Sequence, residues 1–315
     1  MTSEERLRRM EAWLSNLYKD AHEEMRGKWD RFMNGLRAEG DKLLRAIDEA
    51  PDEELRKKAW RKYTAFMRDA TVTDRYFRQM VENLAEQYAG VNTRAVEYIN
   101  GRRAAFFADG YNASAGEING EAMARDIGIR FGLCDENTVE WLARRSADYP
   151  DHIIMPPPDK LKIPEDERWS ARLIQSQVAQ GIVQGESVPK IARRLENVTD
   201  GERKACIRRA RTMATNCENA GRTQAAQRAE EWGVHTRKRW MCTHDSRTRD
   251  NHLALDGETI DNDAVFWNGC RSPGDHLGPP AEVWNCRCTL ITVVDGFSST
   301  LPKGKERAVR ETILG

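Results

Sequence analysis

Residues 236–291 decide how the end of this chain folds: TRKRWMCTHDSRTRDNHLALDGETIDNDAVFWNGCRSPGDHLGPPAEVWNCRCTLI. The opening TRKRWMCT is typical of a strand, and the β-like run CRCTLITVV begins at Cys286. Between them, DSRTRDNHLALDG predicts a turn and a short helix, GETID predicts another strand, and a Gly/Pro-rich loop follows. The stretch therefore predicts a small α+β module.

Upstream of this module the sequence is that of a helical body. Apolar residues recur at steps of three and four across residues 3–49, where Gly35 and Gly40 leave a bend open. Pro51 followed by three acidic residues begins another helix. Further helices are predicted after residue 74, after residue 93, at 121–131 and at 137–148, with a loop at 110–120 and three more helices up to residue 232. The fold class we expect is mainly α, with an elongated helical body and a small α+β C-terminal module.

Composition predicts where one region ends and the next begins. The segment YPDHIIMPPPDKLKIPEDERW contains five of the eleven prolines and has no helical period, so it should run extended. The predicted organisation is a helical N-terminal region at 1–149, a Pro-rich linker at 150–169, a basic helical segment at 170–232, the α+β module at 233–295 and a tail at 296–315.

Composition also excludes several classes of protein. With 32% charged residues and a mean hydropathy of −0.74, no window of the 315 residues approaches the roughly 18 apolar residues of a spanning helix. The charged start MTSEERLRRMEAW has no apolar core, so we expect no cleaved secretory signal. Nine Trp, eight Phe and seven Tyr argue against wholesale disorder. These features favour a soluble, helix-rich protein.

The net charge of zero hides a separation of charge. Between Lys190 and Arg249 lie fifteen basic and seven acidic residues, which give +8 and leave −8 for the rest of the chain. Such a stretch is typical either of a surface that contacts a polyanion or of an ordinary solvated helix face. The candidate polyanion contacts are Arg203, Lys204, Arg208, Arg209, Arg211, Arg237, Lys238 and Arg239.

Cysteine and histidine positions raise the question of a metal. Seven cysteines without an export signal do not predict a disulfide framework. The C-x-C spacing of Cys286 and Cys288 would place both thiols on one face of a strand, and His252 could approach them from the short helix. Thiolates and imidazole are the ligands that zinc prefers, so these three residues are candidate zinc ligands. A fourth ligand could be Asp245, Cys242 or His244. The alternative is a hydrogen-bonded core histidine beside two buried thiols.

The module also resembles a known family. A Trp, then D-S-R-T-R-x-x-H-x-x-L-D-G-E, a Phe, P-G-D and N-C-R-C-T-L resemble the phage head-morphogenesis proteins, the minor head proteins of the Mu F-like family. The upstream GIVQGESVPKIARRL and RTMATNCENAGR resemble it too, so the similarity covers about residues 168–294. The motif positions that the resemblance carries over are Trp240, Asp245, Arg247, Arg249, His252, Gly257, Phe266, Pro273, Gly274, Asp275, Asn285, Cys286, Arg287 and Cys288. Residues that depart from the pattern are Cys217, Cys242, His244, Cys270 and His276.

The residue types at these positions predict a structural role. Asp245 with Arg247, Arg249 and Arg287 could form a buried network of guanidinium–carboxylate bonds that staples a module with little apolar core. Asn285 before the last strand suits a turn, because Asn tolerates the left-handed backbone conformation.

The resemblance implies a virion protein of head assembly rather than an enzyme. It implies a minor procapsid component near the portal, with the portal protein and a major capsid or scaffold protein as partners. It is expected in the phage head, and in the host cytoplasm during assembly. The basic stretch adds non-specific contact with double-stranded DNA, and no membrane is involved.

Two other interpretations stay open at this point. One is a metal-dependent nuclease or phosphodiesterase in which His244, Asp245 and His252 hold a metal. The other is a bare DNA-binding module, although no recognition helix is identifiable. Some family members carry fused toxin or transferase domains, and we expect none here.

Overall fold

A computed structural model describes residues 1–69, 75–144, 155–159, 172–181, 184, 186 and 188–299. The helices are α1 (Ser3–Asp48), α2 (Glu53–Asp69), α3 (Arg75–Asn100), α4 (Arg103–Ala124), α5 (Glu136–Arg144), α6 (172–181), α7 (Val188–Glu231), α8 (Asp250–Leu255) and α9 (Pro280–Val283). The strands are β1 (Val234–Met241), β2 (Thr259–Asp261) and β3 (Thr289–Phe297). The predicted fold class, mainly α with a small C-terminal α+β module, is confirmed. None of the described helices combines the length and apolarity needed to cross a membrane.

The predicted loop at 110–120 is wrong, because these residues lie inside α4. A Cβ added at Gly110 would lie 1.9 Å from the backbone oxygen of Glu218 in α7, and one at Gly221 would lie 2.1 Å from that of Phe107. Glycines at this crossing let the two helix backbones approach closely. Glycine, asparagine and serine here serve helix packing rather than a turn, which their composition alone does not distinguish.

Several helices continue through positions where the sequence predicted a bend or a boundary. Helix α1 runs unbroken through Gly35 and Gly40, and α3 continues through residues 92–93. Residues 200–231 form one helix with the segment before them, α7. The predicted helix at 121–131 is also wrong, since α4 ends at Ala124 and Asp126 adopts a φ of 53°.

The chain divides into two compact units, each built from separate stretches of sequence. One unit comprises Ala12–Val96 and Lys160–Cys206. Its described core includes the fully buried side chains of Trp29 and Leu84, and a 2.6 Å hydrogen bond that Tyr18 donates to Asn92. The predicted linker falls in the described residues only at 155–159, and residues 300–315 of the predicted tail lie outside them.

The other unit comprises Met1–Glu11, Glu97–Asp159 and Ile207–Gly315, and it contains the α+β module. Its sheet is antiparallel in the order β2-β1-β3, and β3 continues to Phe297, two residues into the predicted tail. Helix α4 meets the sheet through a 2.6 Å hydrogen bond between Ser114 and Thr292. A compact core cluster fills the module: Trp240, Cys242, Leu255, Phe266, Cys270, Val283, Cys286, Cys288 and Leu290.

Candidate functional site

A histidine and two cysteines meet inside the module core. His252 lies in α8, and Cys286 and Cys288 lie in the loop between α9 and β3. The Nδ1 atom of His252 is 3.7 Å from the Cys286 sulfur and 3.5 Å from the Cys288 sulfur. These three potential ligand atoms all lie within 4.8 Å of one another, and all three residues are buried. The two cysteines precede β3 instead of lying on a strand, so the turn at residues 285–288 directs their thiols inward.

The sequence left Asp245, Cys242 and His244 as candidates for a fourth metal ligand. Of these three described residues, Cys242 lies beside the cluster. It follows β1, and its sulfur is 3.6 Å from that of Cys288. Its thiol donates a hydrogen bond to the backbone oxygen of His252, at 2.7 Å. Asp245 is instead bound to Arg287, and the exposed ring of His244 is paired with a carboxylate, that of Asp256, at 3.0 Å.

A carboxylate orients the imidazole of His252. The Nε2 atom is 3.0 Å from Oε2 of Glu282, and the side chain of Asn251 donates to both oxygens of that carboxylate at 2.6 and 2.7 Å. Because an ionised carboxylate can only accept hydrogen bonds, Nε2 carries the proton and Nδ1 presents its lone pair to the thiols. Neither Glu282 nor Asn251 was among the residues predicted from the sequence.

The thiols of the cluster differ in acidity. The neighbouring Cys286 thiol lowers the pKa of Cys288 to about 4, against the effect of burial, and the same contact raises the pKa of Cys286. Burial raises the pKa of Cys242 to about 12, with the indole N–H of Trp240 acting in the opposite direction. The cluster therefore holds one readily ionised sulfur beside two that stay protonated.

One face of α7 holds the loop that carries the two cysteines. Thr215 donates to the backbone oxygen of Cys286 at 2.7 Å, and Thr212 accepts from the backbone N–H of Asn285 at 2.9 Å. One turn further on, Asn219 is 1% exposed and accepts from the N–H of Leu290 at 2.7 Å. Its amide nitrogen donates to the backbone oxygens of Thr215, Pro273 and Cys288. These polar residues recur at helical spacing on a largely buried face, a signal that sequence reasoning missed.

Three motif positions have conformations or contacts that suit this architecture. Asn285 has a φ of 58° and Gly257 a φ of 81°, both in the left-handed region that Asn and Gly tolerate best. Trp240 is fully buried, and its ring meets that of His252 edge-on with the centroids 5.3 Å apart. Within the described part of the chain its indole N–H has no hydrogen-bond partner, and its ring packs in the same core cluster as Cys242.

The arginines of the motif do not form the single buried network that the sequence suggested. Arg287 makes a bidentate pair with Asp245 and holds the pKa of that carboxyl well below its usual range, but the Asp245 side chain is 34% exposed. Arg247 approaches Asp245 at 3.7 Å from solvent. Arg249 donates to the backbone oxygen of Trp284 at 2.5 Å instead. The network therefore pins a surface turn rather than the core.

Most candidate polyanion contacts are engaged within the chain. Four of the arginines and Lys204 lie within 4.0 Å of an acidic group, in the pairs Arg203–Asp200, Lys204–Asp200, Arg209–Asp159, Arg211–Glu11 and Arg237–Asp295. Lys238 is buried and donates to two backbone oxygens, and Arg239 donates to Thr259. Arg208 is exposed. The net charge of the stretch thus overstates the cationic surface it offers.

Comparisons with known proteins agree with the resemblance seen in the motif. Residues 172–291 match the family model described as Phage Mu protein F like protein. The chain is 32% identical over 158 residues to the minor head protein GP7 of Bacillus phage SPP1, across 48% of this chain and 51% of that protein. It is 35% identical over 138 residues to the NAD(+)--arginine ADP-ribosyltransferase EFV of Enterococcus faecalis, across 43% of this chain and 28% of that protein. The chain thus spans about half the length of one curated relative and less of the other. No solved structure matches it.

Proposed function

Since residues 172–291 carry the Mu F-like segment of the phage head-morphogenesis family, we propose that this protein is a minor component of a phage head. Within that proposal it acts during procapsid assembly, near the portal, and its partners are the portal protein and the major capsid or scaffold protein. It is made in the host cytoplasm and remains in the virion. The observation that carries the proposal is the family match, which includes the motif that folds into the module.

The geometry of the module supports a structural role. His252 is 1% exposed, one ring nitrogen is bound to Glu282 and the other faces two thiols. A general base must reach the substrate proton directly or through a water, and this ring is closed to both. His244 and Asp245, which the nuclease alternative needs beside it, are paired with Asp256 and Arg287. No observation on the described residues favours the nuclease.

The surface of the module suits protein contact. It exposes several large apolar side chains: Leu253, Val265, Trp267, Leu277 and Trp284. Exposed tryptophans are unusual on a free surface and common in the energetic centre of protein interfaces. Both tryptophans in this set, Trp267 and Trp284, are at least half exposed. We therefore assign the module to docking in the head.

Contact with packaged DNA is the finer part of the proposal. Support for it comes from Arg208 and Lys204, which are exposed, although Lys204 also pairs with Asp200. A contact of this kind would be weak because it neutralises few phosphates, it would lack sequence preference, and it would weaken as salt rises because each phosphate contact releases a counterion. Binding by Arg208→Gln protein should fall below that of Arg237→Gln protein, since Arg237 is already paired with Asp295.

The test is the position and copy number of this chain in purified procapsids. We expect quantitative mass spectrometry to find it at far fewer copies than the major capsid protein, and chemical cross-linking to join it to the portal protein. Trp267→Ala with Trp284→Ala should lower incorporation, whereas Trp60→Ala, an equally exposed tryptophan on α2, should not. Absence from procapsids, or equal loss in the Trp60 control, contradicts the proposal. Metal-dependent DNA cleavage or ADP-ribosylation of arginine by the purified chain would contradict the structural role.

A further inference from the structure

We propose that Cys242, His252, Cys286 and Cys288 form a closed, structural zinc site that cross-links the C-terminal module. The four residues come from three chain segments: the end of β1, helix α8 and the loop before β3. Each side chain is at least nine-tenths buried, with exposures of 6%, 1%, 2% and 4% in that order. The inference concerns the folding of this module and does not depend on the proposed role in a phage head.

Three of the distances between the donor atoms match those of a tetrahedral zinc site. Zinc–sulfur and zinc–nitrogen bonds of about 2.3 and 2.05 Å place two sulfurs roughly 3.8 Å apart, and a sulfur and a nitrogen roughly 3.5 Å apart. The two His252–thiol distances are 3.5 and 3.7 Å, and the distance between the Cys242 and Cys288 sulfurs is 3.6 Å. Three of the six edges of the tetrahedron thus match to within about 0.2 Å. The sulfur of Cys242 is not within 4.8 Å of every other donor atom, so it has to move inward when the metal binds.

The surroundings of the cluster are those that a bound metal requires. The hydrogen bond from Nε2 of His252 to Glu282 fixes the ring with Nδ1 toward the thiols, which is the carboxylate–histidine arrangement of metal sites. Asn251 in turn holds that carboxylate.

An unused donor points to the fourth ligand. The indole N–H of Trp240 is fully buried, has no hydrogen-bond partner among the described residues and belongs to the same core cluster as Cys242. A buried donor without an acceptor is costly, and a metal-bound thiolate is an acceptor that would satisfy it. On binding, Cys242 loses the proton that it now donates to the backbone oxygen of His252.

The chemistry balances without any redox partner. Each thiol that is still protonated releases its proton to solvent as its sulfur bonds the metal, and neutral His252 contributes its Nδ1 lone pair. Four protein ligands complete the coordination, so no position is left for a reacting water, and the site is structural. It would join the end of β1 and helix α8 to the loop that Asn219 and Thr215 hold from α7.

Metal content of the full chain, purified without a histidine tag under reducing conditions, tests the site. We expect about one zinc per chain, and a thermal midpoint that falls on chelation and is restored by zinc but not by magnesium. Sub-stoichiometric zinc after incubation with excess metal, or a midpoint indifferent to chelation, overturns the proposal. Both readouts use wild-type protein, so they do not depend on any variant folding.

Variants then test the ligand set. Cys286→Ser and Cys288→Ser should lose zinc, whereas Cys270→Ser, a fully buried thiol of the same core cluster, should retain it. With cobalt in place of zinc, Cys242→Ser should lose about a third of the thiolate-to-metal charge-transfer band, because two thiolates remain of three. An unchanged band removes Cys242 from the set and overturns the four-ligand site. Glu282→Ala should weaken zinc binding about 10–100-fold as a positioning residue, while equal affinity refutes its role.

Discussion

Replacing Asn219 by leucine removes the buried polar group that ties α7 to the start of β3. Leucine has the same branching and number of side-chain heavy atoms but no polar group, so the change chiefly tests hydrogen bonding. It leaves the N–H of Leu290 without its 2.7 Å acceptor, and the backbone oxygens of Pro273 and Cys288 without their donor. The helical oxygen of Thr215 also loses the bond from the amide.

The cost follows from these orphaned groups. A buried donor left unsatisfied costs about 1–3 kcal/mol, and a lost neutral hydrogen bond about 0.5–1.5 kcal/mol. The carbonyl bonds at 3.1 and 3.4 Å are the weaker ones, and burial of the leucine side chain offsets part of the loss. We therefore expect Asn219→Leu to lower the unfolding free energy of the module by about 3 kcal/mol, roughly a hundredfold in its opening equilibrium.

Hydrogen–deuterium exchange measures this opening locally, which matters because the chain has two compact units and a global unfolding measurement reports on both together. Peptides covering residues 286–294 should exchange roughly a hundredfold faster in Asn219→Leu than in wild-type protein. The matched control is Thr223→Val, one turn further along α7, whose hydroxyl donates to the helical oxygen of Asn219. It should change the opening free energy by less than about 0.5 kcal/mol. Exchange at 286–294 that is the same in Asn219→Leu and in the control would refute the reasoning that α7 pins this loop.

Three further predictions concern the same unit. Gly110→Ala should lower the unfolding free energy of this unit by about 2 kcal/mol or more, because the new methyl group meets the backbone of α7. Gly116→Ala, on the open side of α4, should instead raise it by about 0.5–1 kcal/mol. Equal effects of the two variants in urea unfolding would contradict the close helix crossing. Burial lowers the pKa of Lys238 to about 8, so the unfolded chain binds one more proton than the folded chain between about pH 8 and 10.4. The unfolding free energy of the wild-type protein should therefore rise across that pH window relative to Lys238→Met, by up to about 3 kcal/mol. A difference between the two proteins that does not change with pH would exclude the buried charge. Asp245→Asn should destabilise the module only slightly at neutral pH, because the Asp245–Arg287 pair is part-exposed. In urea unfolding this difference should vanish in acid, once the wild-type carboxyl is protonated below its usual pKa range. A difference that persists in strong acid would show that charge is not the cause.

Local patterns in the sequence predicted most of the elements of the fold. The period of α1, the proline before α2 and the order strand, short helix, strand, loop, strand at the end of the chain all appear in the structure. These features depend on residues within a few positions of one another, so a linear pattern records them. The errors at 110–120 and 121–131 have the opposite origin. Gly110 is helical because α7 lies against it, and Glu218 is more than a hundred positions away.

The candidate site divides in the same way. The motif identified His252, Cys286 and Cys288, because their residue types and spacing carry the chemistry. It left the fourth member open among Cys242, Asp245 and His244, since each is near His252 in sequence. It also missed Glu282, which is one of two acids in a Gly/Pro-rich stretch without any periodic signal. Its partnership with His252 exists only across the folded core.

The sequence by itself determined the elements, their order in the module and the residues able to bind a metal or a head partner, because propensity and side-chain chemistry are local properties. The tertiary structure alone decided which of those residues meet. It turned the imidazole of His252 toward the thiols, brought Cys242 rather than Asp245 to Cys288, and neutralised Arg211 and Arg237 with distant acids. Each of these outcomes depends on contacts between segments 30 to 200 residues apart, whose distances are fixed by packing and not by spacing along the chain.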